Sequence, residues 1–143
     1  MLKTGPMTKI LIVDDDPNVV SFLTTILHGA GYTCLVAASA AKARALLDSE
    51  QGISLVLLDQ NLGEGCDTGL GLLTALRQLP RFQRIPVIIC TGDTRTAVVT
   101  GFLGQRIASF LKKPFRPDRL LVDVDRALGH SGNAILPPPP LVQ

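Results

Sequence analysis

Short apolar runs alternate along the chain with segments whose apolar residues recur at helical spacing. The first run, Lys9–Val13, leads into Asp14, Asp15 and Asp16. Pro17 then opens a stretch carrying Val19, Val20, Leu23, Ile26 and Leu27, a spacing that predicts a helix. Proline suits a first helical turn, an Asp just before it can cap free N–H groups, and Gly29 and Gly31 end the helix. Thr33–Ala37 reads as a second strand, and Ser39 as the cap of an Ala-rich helix running to Asp48. The third run, Ile53–Leu58, ends at Asp59; a glycine-rich loop follows, then a helix with Leu70, Leu72, Leu73 and Leu76 that Pro80 stops. Pro86–Cys90 is the fourth strand, ending at Thr91, and residues 94–105 form a weak helix because Gly101 and Gly104 lower its propensity. Ala108–Lys112 is the fifth strand, and Pro117 starts a last helix with Leu120, Leu121, Val124 and Leu128 before Gly129.

Strands one, three and four are almost unbroken in apolar residues, as strands buried on both faces of a parallel sheet are. Alternating strands and helices with short connections predict an α/β fold: a doubly wound five-stranded parallel sheet with helices on both faces. Such sheets bind ligands beyond the carboxyl ends of their strands. The polar residues there are the ones to examine.

Composition adds bounds. A chain of 143 residues, 46% apolar, holds one domain with a core that needs no disulfide or structural metal. The expected division is a flexible extension over 1–8, a folded domain over 9–129 and a disordered tail over 130–143 containing Pro137 to Pro140. The net charge of +2 and the scattered Lys and Arg residues give no nucleic-acid stripe. Cys34, Cys66 and Cys90 lack metal, redox or disulfide-scaffold spacing, and His28 and His130 lack metal-ligand spacing. Without a signal peptide or a run of membrane-spanning length, the expectation is a cytoplasmic protein.

At the strand ends stand Asp14 and Asp15 (first), Asp59 (third), Thr91 (fourth), and Lys112 and Lys113 before Pro114 (fifth). In a parallel sheet with these strands adjacent, the side chains meet on one rim. Two ionised carboxylates about 4 Å apart repel by about 4 kcal/mol at an effective dielectric near 20. Three in one cleft call for raised pKa values or a cation. An all-oxygen site of this kind suits magnesium, and a carboxylate can serve as nucleophile towards phosphorus. Lys113 and the Thr91 hydroxyl would supply charge and a donor to the equatorial oxygens of a phosphoryl group.

The ordered stretches ILIVDDD, LVLLD, VIICTG and FLKKPF resemble the receiver domain of two-component response regulators, from about Lys9 to Leu128. The resemblance implies a flavodoxin-like sheet of order 2-1-3-4-5. It implies that Asp59 is the phosphoacceptor, with Asp14, Asp15, Asp59 and the backbone carbonyl of Asn61 around Mg2+. It makes Thr91 the hydroxyl that moves to the phosphoryl group, Lys113 its cationic partner beside a cis peptide, and Phe110 the aromatic that swings inward. Lys112 becomes the spare lysine, facing the other way. The implied donor is a phosphohistidine on a histidine kinase or a histidine phosphotransfer protein. Output is expected through a downstream protein partner at the face of the fourth helix, fifth strand and fifth helix, without direct DNA binding, the chain being a monomer or a phosphorylation-dependent dimer.

Four positions depart from the family pattern: Phe110 for the common tyrosine, Gly92 for alanine, a longer and more acidic loop over Asn61–Thr68, and Arg106 with Ile107 for a small pair. Helix capping is the plain alternative for Asp14 and Asp15, but Asp16 already fills that place. Phe110 alone reads as core, Lys113–Pro114 alone as a turn, and Cys90 as an inert thiol. Two rival functions use similar residues. A haloacid-dehalogenase-like phosphatase would need a DxD on the first strand, which Asp14-Asp15-Asp16 mimics; a receiver-like interaction module would keep the fold without phosphorylation.

Overall fold

Hydrogen-bond ladders join five parallel strands in the order β2-β1-β3-β4-β5 in the computed structural model, which describes residues 8–60, 62, 69–92 and 107–129. The strands are β1 (Lys9–Val13), β2 (Thr33–Ala37), β3 (Ile53–Asp59), β4 (Val87–Thr91) and β5 (Ser109–Lys112). Among the described residues four α-helices accompany them: α1 (Pro17–Gly29), α2 (Ala40–Ser49), α3 (Gly69–Arg77) and α4 (Pro117–Ala127). This is the doubly wound, flavodoxin-like sheet expected. The weak helix expected over 94–105, the extension over 1–7, the loop residues 61 and 63–68 and the tail over 130–143 lie outside the described residues.

Period-two alternation divides the sheet's side chains between two cores. Leu11, Val13, Val56, Leu58, Val87 and Ile89 pack with α2 and α3, while Ile10, Ile12, Leu55, Leu57, Ile88 and Cys90 pack with α1 and α4. The central strands β1, β3 and β4 face apolar layers on both sides, hence their unbroken apolar sequence.

Local chemistry sets the boundaries. Asp16 caps α1, its carboxylate accepting from the Asn18 N–H at 2.9 Å, and the Ser39 hydroxyl accepts from the Lys42 N–H at 3.2 Å to open α2. Gly29 remains helical rather than ending α1; the chain turns at Gly31, whose φ of 95° favours glycine. Pro86, lacking an N–H, stands just outside β4, though its carbonyl accepts from the Val56 N–H at 3.0 Å. Pro80 does more than stop α3, since it opens a 3-10 turn over Pro80–Phe82. Thr8, just before β1, is already tied to β2, its carbonyl accepting from the Thr33 N–H at 2.9 Å. Far from the strand ends that carry the acids, the Tyr32 hydroxyl donates to Asp125 on α4 at 2.5 Å and ties that helix to the α1–β2 turn.

Candidate functional site

The ladders run one step past the strands and fix the residues at their carboxyl ends. The Asp14 N–H donates to the Ala37 carbonyl at 3.1 Å, the Gln60 N–H to Cys90 at 2.9 Å, and the Lys113 N–H to Thr91 at 2.8 Å. Alternation then determines which face each side chain takes. Ile12, Leu57 and Leu111 belong to the α1–α4 core, so Asp14, Asp59 and Lys113, each two residues on, come to that same face. Ile89 belongs to the other core, so Thr91 lies on the α2–α3 side, together with Phe110, which pairs with Ile89 and packs partly buried there.

On the first face the acids and the lysine meet. Lys113 Nζ lies 3.3 Å from Asp14 Oδ2 and 3.2 Å from Asp59 Oδ1. Asp14 and Asp59 are 3% and 4% exposed, so their charges are largely out of water, whereas Asp15 is exposed. Burial pushes the Asp14 carboxyl above the usual range, against the Asp16 N–H that donates to its Oδ1 at 2.9 Å; the nearby Asp59 charge pushes the same way as burial. For Lys113, burial works to lower the ammonium, but the attractions of Asp59 and Asp14 outweigh it and leave it raised. Cys90, at the floor of the site, is fully buried and its thiol is pushed well above its ordinary value by that burial. The Lys113 charge pulls the other way without offsetting it.

One carboxylate oxygen from each of Asp14, Asp15 and Asp59 lies within 4.8 Å of the others. Oxygens around one octahedral magnesium stand about 3–4 Å apart, given a metal–oxygen distance of about 2.1 Å. The three donors, all hard oxygens, would have to close by no more than about 2 Å to share the ion. The cluster's residues fit the ion. Asn61, the remaining expected ligand, lies outside the described residues, as do Cys66 and Arg106.

On the second face Thr91, 1% exposed, donates its hydroxyl to Gln60 Oε1 at 3.2 Å. The sequence alone groups this hydroxyl with the acids and gives no sign of Gln60. The missing signal was register: with β3 and β4 paired as Asp59↔Cys90, the next residues, Gln60 and Thr91, are neighbours. Lys112 is exposed, and the Lys113–Pro114 peptide is cis.

A family model described as the response regulator receiver domain matches residues 10–125. The chain belongs to this receiver-domain family. Among curated relatives, the receiver is 31% identical over 119 residues to the two-component response regulator PprB of Pseudomonas aeruginosa, covering 82% of this chain and 42% of that protein. It is 31% identical to the DNA-binding response regulator MtrA of Mycolicibacterium smegmatis, covering 81% of this chain and 48% of that one. It thus spans less than half of either relative. Solved structures agree in fold. A CheY-like receiver domain protein from Methanospirillum hungatei superposes with a TM-score of 0.78 at 26% identity, covering 87% of this chain and 96% of the other. The receiver domain of NtrX from Brucella abortus does so with 0.76 at 29% identity, covering 85% and 99%. Receiver domains are signalling domains. No helix among the described residues of this one is long and apolar enough to cross a membrane.

Proposed function

We propose that this receiver accepts a phosphoryl group on Asp59 from a phosphohistidine of a histidine kinase or histidine phosphotransfer protein, in a magnesium-dependent reaction. The observation carrying this is the meeting of three carboxylates from two strands within 4.8 Å, with the Lys113 ammonium on two of them. Magnesium would be held by Asp14, Asp15, Asp59 and the Asn61 carbonyl, and when bound it supplies positive charge against the oxygens of the transferring group. Asp59 forms the new O–P bond as the donor's N–P bond breaks, and the electron pair leaves with the donor's imidazole. Lys113 pairs with a phosphoryl oxygen in place of one of its present carboxylate partners. Thr91 brings its hydroxyl to another, and Phe110 repacks on the face it shares with Thr91. That repacking is read by a downstream protein at the surface of residues 94–105, β5 and α4, a population shift driven by a local change of charge. The scattered basic residues favour a protein target over direct DNA contact, and the thiols suit a cytoplasmic setting.

Capping speaks against the phosphatase alternative, because Asp16, the second acid of its DxD, accepts the Asn18 N–H at the start of α1. The test is incubation of wild type and Asp59→Ala with acetyl phosphate and magnesium, followed by intact-mass measurement. A gain of one phosphoryl group that needs both the metal and Asp59 is expected. An equal gain by Asp59→Ala, or turnover of free phosphate esters, would remove the proposal.

A further inference from the structure

Gln60 is placed more firmly than a residue at the start of a loop needs to be. Its N–H donates to the Cys90 carbonyl at 2.9 Å, which holds its backbone to β4. On the other side, Gly69 at the start of α3 lies so close that a Cβ there would come within 2.5 Å of the Asp59 carbonyl oxygen and 3.3 Å of Gln60 Cα. The carboxamide of this fixed residue takes the hydroxyl of Thr91 at 3.2 Å. Both side chains lie on the face opposite Asp59, which shares its side of the sheet with Cys90.

We propose that Gln60 is a latch: its carboxamide holds the Thr91 hydroxyl on the α2–α3 side and competes with the phosphoryl oxygens on Asp59 for that donor. A hydroxyl has one proton to donate. The bond to Gln60 must open before Thr91 can serve the modified Asp59, so the latch sets the fraction of molecules in the switched arrangement. Gln60 is a positioning residue, acting only through Thr91. The inference rests on the phosphoacceptor reading of Asp59.

Apparent affinity for a ligand that selects the switched form falls in proportion to the population of that form. One net hydrogen bond corresponds to about a five-fold change in such a population. The test titrates the full chain with beryllium fluoride in saturating magnesium, following bound fluoride by fluorine NMR and the Thr91 and Phe110 amides by proton–nitrogen spectra. Gln60→Met keeps the length of the side chain and removes the carboxamide. It should lower the half-saturating beryllium fluoride concentration about five-fold. Without metal or fluoride, the variant's Thr91 and Phe110 amide signals should move part of the way towards their fluoride-bound positions. Gln60→Ala should act in the same direction, which guards against a packing effect peculiar to Met. In a Thr91→Val background, Gln60→Met should change neither quantity. Unchanged half-saturation and unmoved signals in Gln60→Met would overturn the latch, as would a full effect persisting without the Thr91 hydroxyl. A wild type no more responsive than Asp59→Ala would overturn the phosphoacceptor reading instead, and the latch with it.

Discussion

Lys113 bridges carboxylates from two strands, so its ammonium neutralises charges that the fold would otherwise press together out of water. It is 24% exposed, and its partners Asp14 and Asp59 are almost wholly buried. Removing one member of such a group leaves the others uncompensated. Lys113→Met should therefore destabilise the metal-free protein by about 1–3 kcal/mol at pH 7, below the range for fully buried pairs because water reaches the ammonium. The pH dependence has a definite sign. Asp14 is raised in the folded state, so between its ordinary value and the raised one the folded form holds more protons than the unfolded form. Stability from this group accordingly rises as pH falls through the raised value and is lost as pH increases. Without Lys113 the raising is greater, so the deficit of Lys113→Met should shrink on acidification; urea titrations at a series of pH values measure it. The same variant should bind magnesium several-fold more tightly by calorimetry, because the ammonium no longer occupies Asp59 Oδ1 and Asp14 Oδ2. At this scale the acids, the lysine and the Asp16 cap were legible, since each follows from a strand end or from the residue before a helix. Gln60 was not, because a glutamine next to an aspartate carries no signal until the neighbouring strand and its register are known.

Between elements, two contacts decide how helices seat on the sheet. Gly69 begins α3 against the backbone of Asp59, and a methyl group there would sit 2.5 Å from a carbonyl oxygen that cannot swing aside. Gly69→Ala should cost about 1–3 kcal/mol of stability by overpacking, although alanine is the better helix former by about 1 kcal/mol. Denaturant unfolding gives the sign directly; a stabilised variant would mean that α3 can move away freely. At the seam of α4 and β5, Asp123 is 2% exposed and receives the Arg119 Nε–H at 3.1 Å; its second oxygen and the Ser109 hydroxyl form no well-aligned hydrogen bond, although Ser109 lies near enough to favour the carboxylate. Burial raises the Asp123 pKa, against the nearby Arg119 and Arg126 charges. Asp123→Asn should be the more stable form at pH 7, by about 1 kcal/mol, because the carboxamide buries no charge and its N–H can donate to the Ser109 hydroxyl oxygen. The advantage should vanish as pH falls and the wild-type carboxyl takes up its proton. Among the described residues, strands and helices were legible within a residue or two, because the two-fold and 3.6-fold apolar periods differ plainly. Neither of these contacts was. Gly69 falls at the end of the glycine-rich loop, and nothing in the sequence sets Asp123 apart from Asp118 and Asp125 on the same helix.

For the whole receiver, the order β2-β1-β3-β4-β5 brings distant parts of the chain to one rim: Asp14 and Lys113 are 99 residues apart in sequence and 3.3 Å apart in space. Apolar pattern alone predicted a parallel sheet; the resemblance of the strand-end motifs supplied the strand order, and the ladders bear it out. A ligand that binds only this assembled rim must stabilise the fold by mass action. Magnesium at about a hundred times its dissociation constant should add about 2.7 kcal/mol and raise the melting temperature by roughly 5–15 °C. Asp15→Asn should lose most of that gain in a thermal scan while changing little without the metal, since Asp15 is exposed. An unchanged melting temperature in wild type would count against a metal site among these acids.

The parity of β3 and β4 has a further effect. In the proposed function, charge capture at Asp59 would happen in front of the sheet while the Thr91–Gln60 pair sits behind it, so the message would cross a wall one strand thick at its very lip. Substitutions behind that wall would therefore retune both how loudly the domain speaks and, through the same coupling, how readily it hears.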